Sequence, residues 1–254
     1  MTRTNSKYTR VYVNGYDISG TANNIGTVGA TFDAPPVAAY TDDVMNTVMG
    51  QSSIVCGPLN TFLAPASSGS DAFELGKAGN GVFDVMIPFG TLAAPVAGSP
   101  MFAWKMYDGG YQASGEGVVA ATLDFKNAAY STVKGYESPF GYLAHAKGAE
   151  TAVNTAVAVI DAGASTAKGG VFVYQLFSSN GTVTLSLQEA DTNSNGSFAA
   201  LTGATSGSLD ATTTPASGMV ALGLTATVKR YIRWQLAFGT ANTATFALGF
   251  IRGY

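Results

Sequence analysis

Apolar and polar residues alternate along most of the second half of the chain, with a period of two residues. That period is typical of a strand with one buried face and one exposed face. The apolar sets are, in chain order, Phe172, Tyr174 and Leu176; Val183, Leu185 and Leu187; Val220, Leu222 and Leu224; Val228, Ile232, Trp234, Leu236 and Phe238; and Phe246, Leu248 and Phe250. Short strands at this spacing, separated by turn residues, predict a β-sandwich or jelly roll from Thr151 onward.

Two Asn-Gly pairs lie between these strands. Asn180-Gly181 follows the first strand directly and predicts a hairpin. Asn195-Gly196 lies in the string EADTNSNGS, from Glu189 to Ser197, and predicts a hairpin between Leu187 and Phe198.

The part of the chain before Lys126 also consists mostly of strand patterns. In EGVVAATLDF, for example, Val119, Ala121, Leu123 and Phe125 form an apolar face. The other predicted strands lie in TRVYVNGYDISG, NNIGTVGATFDAPP, the stretch from Ser52 to Leu63, GVFDVMIPFG and MFAWKMYDGGYQAS.

One segment of the first half has helical spacing instead. In VAAYTDDVMNTVMG, the apolar positions Val37, Tyr40, Val44 and Val48 recur at three or four residues. Asp33 can cap the start of this predicted helix, and Gly50 suits the position after its end.

The stretch from Lys126 to Gly148 has no clear period, and we place a domain boundary near Lys134. The predicted domains are residues 1–134 and 135–254. The expected fold class is mainly β: an N-terminal β-sandwich or barrel with one flanking helix, then a C-terminal jelly-roll-like β-sandwich.

Charged residues make up only 11% of the chain, while 46% of residues are apolar. The charged share is less than half of the usual ~25%. A surface so poor in charge indicates burial in an assembly; a monomeric β-protein with a Thr-, Ser- and Asn-rich surface is the alternative. The 13 basic residues are scattered and the net charge is −3, which disfavours a nucleic-acid binder.

The cysteine count, the N-terminus and the length of the apolar runs bear on disulfides, secretion and membrane insertion. Cys56 is the only cysteine, so an intrachain disulfide is not possible. The N-terminus MTRTNSKYTR has no apolar core of a secretory signal, and no apolar run reaches the ~20 residues that span a bilayer. The sequence therefore predicts a protein without a membrane segment, and Asn180 and Asn195 are interpreted as turns rather than glycosylation sites.

The sequence gives little support to an enzyme. His145 is the only histidine, has no nucleophile motif nearby, and is interpreted as a loop or linker residue. Asp108, Glu116 and Asp124 could pair as in a glycosidase, but 16 acidic residues produce such pairs by chance. The glycine-rich strings lack phosphate-loop context and no zinc motif is present, so we expect neither catalysis nor a cofactor.

EADTNSNGS also resembles the first half of a calcium loop. Asp191, Asn193 and Asn195 stand at the first, third and fifth positions, but the twelfth is Thr202 instead of a bidentate glutamate. A calcium site would need Glu189 or Asp210 from outside the loop. These residues remain a weak metal candidate beside the hairpin interpretation.

Two further clusters have a functional and a structural interpretation. The tyrosines near the domain boundary could form a sugar platform, or they could be core and interface residues: Tyr107, Tyr111, Tyr130, Tyr136 and Tyr142. Lys229 and Arg233 in TVKRYIRWQL could form a basic patch, or simply a solvated strand face.

The order of the predicted strands and helix in the N-terminal half resembles that of tail tube, or major tail, proteins of long-tailed bacteriophages. The resemblance covers roughly residues 8–130 and rests on VYVNGYDISG, NNIGTVGATFDAPP, VAAYTDDVMNTVMGQ and EGVVAATLDF. The C-terminal TVKRYIRWQL and TATFALGFIR are similar to the closing strands of discoidin-like, galactose-binding-like jelly rolls. The lack of a disulfide and of a clear loop of exposed aromatic residues departs from a sugar-binding module.

The resemblance implies a virion protein, synthesised in the host cytoplasm, that forms hexameric rings stacked into a tail tube. Its implied partners are copies of itself, tape measure and tail terminator proteins, and DNA that passes without sequence-specific binding. A capsid decoration or host-surface carbohydrate-binding virion protein is the alternative.

The same resemblance assigns roles to two groups of residues. The contacts between rings and subunits would involve Arg3, Lys7, Arg10, Phe73, Glu74 and Lys77. An acidic lumen that repels DNA would be lined by Asp33, Asp42, Asp43 and Asp84.

Overall fold

The computed structural model describes residues 6–32, 36–37, 46–47, 52–62, 81–114, 120–127, 138–153 and 158–253. Within these residues the regular structure consists of strands and two single 3₁₀ turns, Ser6–Tyr8 and Asn195–Ser197. The strands of the first half are β1 (Tyr12–Val13), β2 (Tyr16–Asp17), β3 (Ala22–Ile25), β4 (Val28–Phe32), β5 (Pro36–Val37), β6 (Asn46–Thr47), β7 (Ser52–Cys56), β8 (Leu59–Phe62), β9 (Val82–Pro88), β10 (Pro100–Ser114) and β11 (Ala120–Asn127). Those of the second half are β12 (Phe140–Glu150), β13 (Ile160–Asp161), β14 (Gly170–Ser179), β15 (Thr182–Ala190), β16 (Ala199–Asp210), β17 (Ala216–Ala221), β18 (Tyr231–Phe238) and β19 (Ala244–Arg252). The predicted mainly-β fold class is confirmed.

The second half forms a sandwich of two antiparallel layers. One layer has the strand order β17-β14-β19-β12, and the other has the order β13-β18-β15-β16. Most of the alternating apolar residues of the sequence face each other between the layers, as the period of two requires. Leu224 does not, because it lies beyond the end of β17 and is 52% exposed. Large side chains of this core include Phe172, Tyr174, Leu185, Leu187, Trp234, Leu236, Phe246, Leu248 and Phe250.

The β17-β14-β19-β12 layer is also covered on its other side. Val171 and Val173 of β14 and Ile251 of β19 belong to the core of the first half, together with residues such as Met86 and Met101. β14 and β19 are therefore buried on both faces, which explains their nearly continuous apolar sequences.

The main sheet continues from the second half into the first through β12 and β10. β10 pairs with β9 along one edge, and with β12 and then β11 along its other edge. The sheet extends to β1 and β2 beyond β9, and to β8 and β3 beyond β11. The predicted boundary near residue 134 lies in residues 128–137, outside the described part, and strands from both sides of it share this sheet.

The predicted helix from Val37 to Gly50 is wrong where the structure describes it. Pro36 and Val37 form β5, which pairs antiparallel with Asn46 and Thr47 of β6. Val37 and Thr47 are β-branched residues that favour strands, and this pairing outweighs the apolar spacing. The rest of the segment, Asp33 and Gly50 included, lies outside the described residues.

One of the two predicted hairpins is confirmed and the other is wrong. Asn195-Gly196 lies in the loop between β15 and β16, which pair antiparallel. Asn180-Gly181 instead leads from β14 in one layer to β15 in the other. The Asn180 side chain accepts hydrogen bonds from the backbone N–H groups of Asn242 and Thr243, so this turn binds the β18–β19 turn rather than closing a hairpin.

Candidate functional site

Asp84, which we predicted to face an acidic lumen, lies instead in the interior, where only 7% of the residue is exposed. Lys105 Nζ donates to its Oδ1 over 2.5 Å, and Ser217 Oγ donates to its Oδ2 over 2.9 Å. The lumen assignment of Asp84 is therefore wrong: β9 lies between β1 and β10, and the carboxylate is neutralised within the subunit.

Asp84 belongs to a polar network that joins the two halves. The Asn14-Gly15 turn places both residues at positive φ, +50° and +79°, and presents its backbone to β14. The Gly15 N–H donates to Gln175 Oε1 over 2.6 Å, and Gln175 Nε2 donates to the Asp84 carbonyl over 2.8 Å. Gln175 is fully buried, so its two hydrogen bonds are shielded from water and fix the turn against the sandwich.

Two of the predicted inter-subunit residues, Lys7 and Arg10, line one groove of about 450 Å³. Its other walls include Ile25 of β3 and the apolar rings of Phe62 and Phe89. β3 is the last strand of the sheet on this side and pairs only with β8 among the described residues. The predicted residues outside the described part are Arg3, Phe73, Glu74, Lys77, Asp33, Asp42 and Asp43.

A second surface is apolar and exposed. The β9–β10 connection contains GTLAAPVAGS, residues 90–99, without a charged side chain. In this loop Leu92 is 69% exposed and Val96 is 63% exposed, while Phe140 at the start of β12 is 42% exposed. The Gly98 N–H donates to the Leu143 carbonyl over 2.8 Å, which places the loop and the start of β12 at the same end of the sheet. We call Leu92, Val96 and Phe140 the apolar surface.

The string EADTNSNGS is bound to the neighbouring β18 and the residues that precede it. Arg233 lies with its guanidinium 4.1 Å from the centre of the Phe198 ring, and its Nη1 donates to Asn195 Oδ1 over 2.6 Å. Lys229 Nζ lies 3.1 Å from Asp191 Oδ2. One oxygen of Asp191 and the amide oxygen of Asn195 therefore each have a cationic partner, and Asn193 is exposed.

Sequence reasoning missed this role of Arg233, because we interpreted its strand face as solvated. Arg233 is only 9% exposed, and its Nε donates to Gln188 Oε1 over 2.7 Å. The alternation of faces along β18 was a usable signal. It places Arg233 on the face opposite the apolar set and beside the polar residues of β15. No group of three His, Cys, Asp or Glu side chains in the described part of the chain could hold a metal ion.

His145, interpreted from the sequence as a loop or linker residue, lies within β12 and is 9% exposed. Burial lowers the pKa of its imidazole, although the adjacent Glu150 carboxylate acts in the opposite direction. Of the carboxylates considered for a glycosidase, Asp124 pairs with Lys126 at 2.7 Å, Asp108 lies in β10 and Glu116 lies outside the described residues.

The tyrosines considered for a sugar platform do not form one group among the described side chains. Tyr142 is 37% exposed and lines an open cleft of about 570 Å³ with Asp161 and Arg230. Arg230 binds Asp161 with two hydrogen bonds, Nε to Oδ1 over 2.9 Å and Nη2 to Oδ2 over 2.6 Å. Tyr107 is half-buried in β10, Tyr111 lies further along the same strand, and Tyr130 and Tyr136 lie outside the described residues.

No protein-family model and no curated protein matches the sequence. Among solved structures, the chain aligns with SPP1 Dit, a protein of the hub adsorption apparatus in phages that infect Gram-positive bacteria. Identity is 11% and the TM-score is 0.34, over 96% of this chain and 99% of that chain.

The chain also aligns with a chain in each of two structures of the phage p2 baseplate in its activated conformation, one with Sr and one with Ca. Identity is 10% in both, and the TM-scores are 0.31 and 0.30; each alignment covers 95% of this chain and 97% of that chain. At these TM-scores the alignments establish neither a common fold nor a common function. Within the described residues, no helix is long and apolar enough to cross a membrane.

Proposed function

We propose that this chain is a structural subunit of a bacteriophage tail that assembles with copies of itself into stacked hexameric rings, and so forms the tail tube. The proposal joins the resemblance of the N-terminal strand segments VYVNGYDISG, NNIGTVGATFDAPP and EGVVAATLDF to tail tube proteins with one structural observation. That observation is the apolar surface formed by Leu92, Val96 and Phe140. A chain with so few charged residues is suited to bury such a surface against a second copy.

The strength of this contact can be estimated by comparing the free energy of side-chain burial with the free-energy cost of association. Fully burying one exposed Val, Leu or Phe side chain contributes about 1.5–3 kcal/mol. Leu92, Val96 and Phe140 are 69%, 63% and 42% exposed, so together they contribute about 3–5 kcal/mol. Association of two proteins costs about 4–15 kcal/mol. The apolar surface alone therefore does not hold a pair of subunits firmly, and a closed ring, in which every subunit contacts two neighbours, is the more stable product.

The groove lined by Lys7 and Arg10 is the proposed contact between rings. The charge distribution supports a head-to-tail arrangement, because seven acidic residues and one basic residue lie between Val11 and Trp104. The acidic partners would be among Asp33, Asp42, Asp43 and Glu74. With Asp84 removed, Asp33, Asp42 and Asp43 are the candidates for a lumen through which DNA slides, and tape measure and tail terminator proteins would bind the assembled tube.

Sedimentation velocity and negative-stain microscopy of the purified protein test this proposal. We expect concentration-dependent rings or tubes from the natural sequence, and monomers from the double variant Leu92→Asp/Val96→Asp. The matched control is Val153→Asp/Leu224→Asp, because both residues are 52% exposed apolar side chains outside the apolar surface. A natural protein that stays monomeric at high concentration, or a control that dissociates as fully as the test variant, would contradict the proposal.

A second candidate function, carbohydrate binding by a virion surface protein, is favoured by one observation. The cleft beside Tyr142 combines an exposed aromatic ring with the Asp161–Arg230 pair, and its size is within the usual range for small-molecule sites. Binding of soluble oligosaccharides, measured by calorimetry, should then disappear in Tyr142→Ala and persist in Leu92→Asp/Val96→Asp. Heat signals that Tyr142→Ala leaves unchanged would remove this candidate.

A further inference from the structure

His145 lies in an aromatic cluster of the sandwich core. Its ring is stacked on Phe246, with centroids 4.4 Å apart, and meets Trp234 edge-on at 4.5 Å. It is the only histidine of the chain. The one side chain that changes charge near neutral pH is therefore built into the interior, where a charge is costly.

Both ring nitrogens of His145 face hydrogen-bond acceptors. Nδ1 lies 3.3 Å from the carbonyl oxygen of Phe246, and Nε2 lies 3.1 Å from Glu150 Oε1. A neutral imidazole has only one N–H, so one of its nitrogens must face an oxygen without a proton between them. The imidazolium form has two N–H groups and satisfies both acceptors. These two contacts favour the imidazolium, whereas burial beside Phe246 and Trp234 disfavours it, and burial is the larger of the two effects.

The backbone around His145 is irregular. The pairing of β12 with β19 shifts register between Leu143 and His145, and again between His145 and Gly148. Beyond Leu143, β12 pairs only with β19 among the described strands. A strand segment with two bulges and one partner is among the easiest parts of a sheet to open.

Lys147, in the same segment, connects β12 to the first half of the chain. Its Nζ lies 2.6 Å from Asp17 Oδ2 and 4.8 Å from the centre of the Phe177 ring. Opening of residues 144–150 would therefore release a contact between the two halves as well as the imidazole.

In the part of the chain that the structure describes, few charged side chains lie near the His145 ring. Glu150 on its own strand is the charged group that acts on the ring among the described residues. β19 carries no charged residue from Ala244 to Ile251, and on β18 Arg233 is bound to Gln188 and Asn195. Lys147 is paired with Asp17.

The sign of the pH effect follows from burial. Burial lowers the pKa of His145 in the closed structure, while a ring that reaches water regains its ordinary pKa. The open state therefore binds the proton more tightly. The stability of the closed state is complete above the ordinary histidine pKa and is lost as the pH falls toward the lowered value.

We propose that His145 and Glu150 form an acid-sensitive latch, which opens residues 144–150 away from β19 in mildly acidic solution and releases Lys147 from Asp17.

Hydrogen exchange of the intact protein, measured across mildly acidic and neutral pH and corrected for intrinsic rates, tests the latch. We expect the protection of residues 144–150 to fall several-fold on acidification, while β15 keeps its protection. His145→Gln keeps a polar side chain without the titration, and its exchange in this segment should be independent of pH. Equal pH dependence in the two proteins would overturn the proposal.

The NMR titration of the single histidine provides a second measurement if His145→Gln does not fold. We expect the ring signals of the natural protein to titrate below the ordinary histidine pKa. In Glu150→Gln the pKa should fall further, because the carboxylate that favours the imidazolium is gone. A histidine that titrates at or above its ordinary pKa, or a pKa that Glu150→Gln leaves unchanged, would also overturn the latch.

Discussion

β14 and β15 are consecutive strands of similar length in the same sandwich, yet they are buried in different ways. In β15 buried residues alternate with more exposed ones, as they do for Leu185 and Ser186. In β14 every residue from Gly170 to Leu176 is buried. The difference arises because β15 lies in the outer layer, whereas the first half of the chain covers the rear face of β14.

This comparison shows that the two halves are parts of one packed structure. β14, β19 and β12 supply one face to the sandwich core and the other face to the core of the first half. The residues that make the rear contact include Val171, Val173, Met219 and Ile251, all far from the first half in sequence. The predictions below test whether both faces contribute stability.

The largest effects should come from substitutions on the two faces of β14. Phe172→Ala, on the sandwich face, should cost about 3–5 kcal/mol of unfolding free energy. Val173→Ala, on the rear face, should cost about 1.5–3 kcal/mol. In β15, Ser186→Ala should change stability by less than about 0.5 kcal/mol. Chemical denaturation measures all three, and a silent Val173→Ala would show that the rear face is not a stabilising contact.

The polar network between the halves should contribute the next largest effect. Lys105→Met leaves the buried Asp84 carboxylate without its cation and should cost about 1.5–3 kcal/mol. Lys126→Met is the matched control, because it breaks an exposed pair with Asp124 that contributes about 0–1 kcal/mol. Similar losses in the two variants, by thermal or chemical denaturation, would contradict a structural role for Asp84.

A smaller effect on the free energy of unfolding should come from the Asn14-Gly15 turn, which contacts β14 and Pro215. A Cβ added at Gly15 would lie 2.6 Å from Pro215 Cβ and 2.9 Å from the Leu176 carbonyl. Gly98 also has positive φ, but an added Cβ there meets nothing within 4 Å. We expect Gly15→Ala to lose about 1–3 kcal/mol more than Gly98→Ala, since only the first substitution adds a clash to the backbone strain. Equal losses would indicate that the turn is not held against the sandwich.

The smallest effect should be in the EADTNSNGS loop. Asp191 is exposed and paired with Lys229, so Asp191→Ala should cost about 0–1 kcal/mol. EDTA should leave the melting temperature of both proteins unchanged, because Lys229 and Arg233 already partner Asp191 and Asn195. A melting temperature that EDTA lowers in the natural protein but not in Asp191→Ala would establish a metal site.

The sequence predicted the outer layer of the sandwich best. The alternation in β15 and the apolar set of β18 indicate one face covered by the sandwich core, and this face was predicted correctly. On the other face of β18, Arg233 is buried rather than solvated. In β14, however, Val171 and Val173 have the same apolar character as Phe172, and alternation alone does not reveal a second layer. Asn180-Gly181 was misinterpreted because its local signal fits both a hairpin and a turn between layers; the Asn180 contacts with residues 242–243 decide between them.

The candidate sites were harder to predict, because they depend on residues distant in sequence. Asp84 is paired with Lys105 and accepts a hydrogen bond from Ser217, and no local pattern relates these positions. Lys7 and Arg10 share a groove with Ile25 and Phe62, which sequence spacing does not indicate. The apolar surface had a visible signal, the uncharged string GTLAAPVAGS, which we did not interpret.

The central claim, that both halves form one cooperative unit, can be tested through the two tryptophans. Trp104 lies in the core of the first half and Trp234 in the sandwich core. Denaturant unfolding of Trp104→Phe and Trp234→Phe, each followed by the remaining tryptophan fluorescence and by circular dichroism, reports on the two halves separately. We predict a single transition in each variant, with coincident midpoints from both signals. Separate transitions, with fluorescence and dichroism midpoints that differ within each variant, would contradict the shared sheet and core.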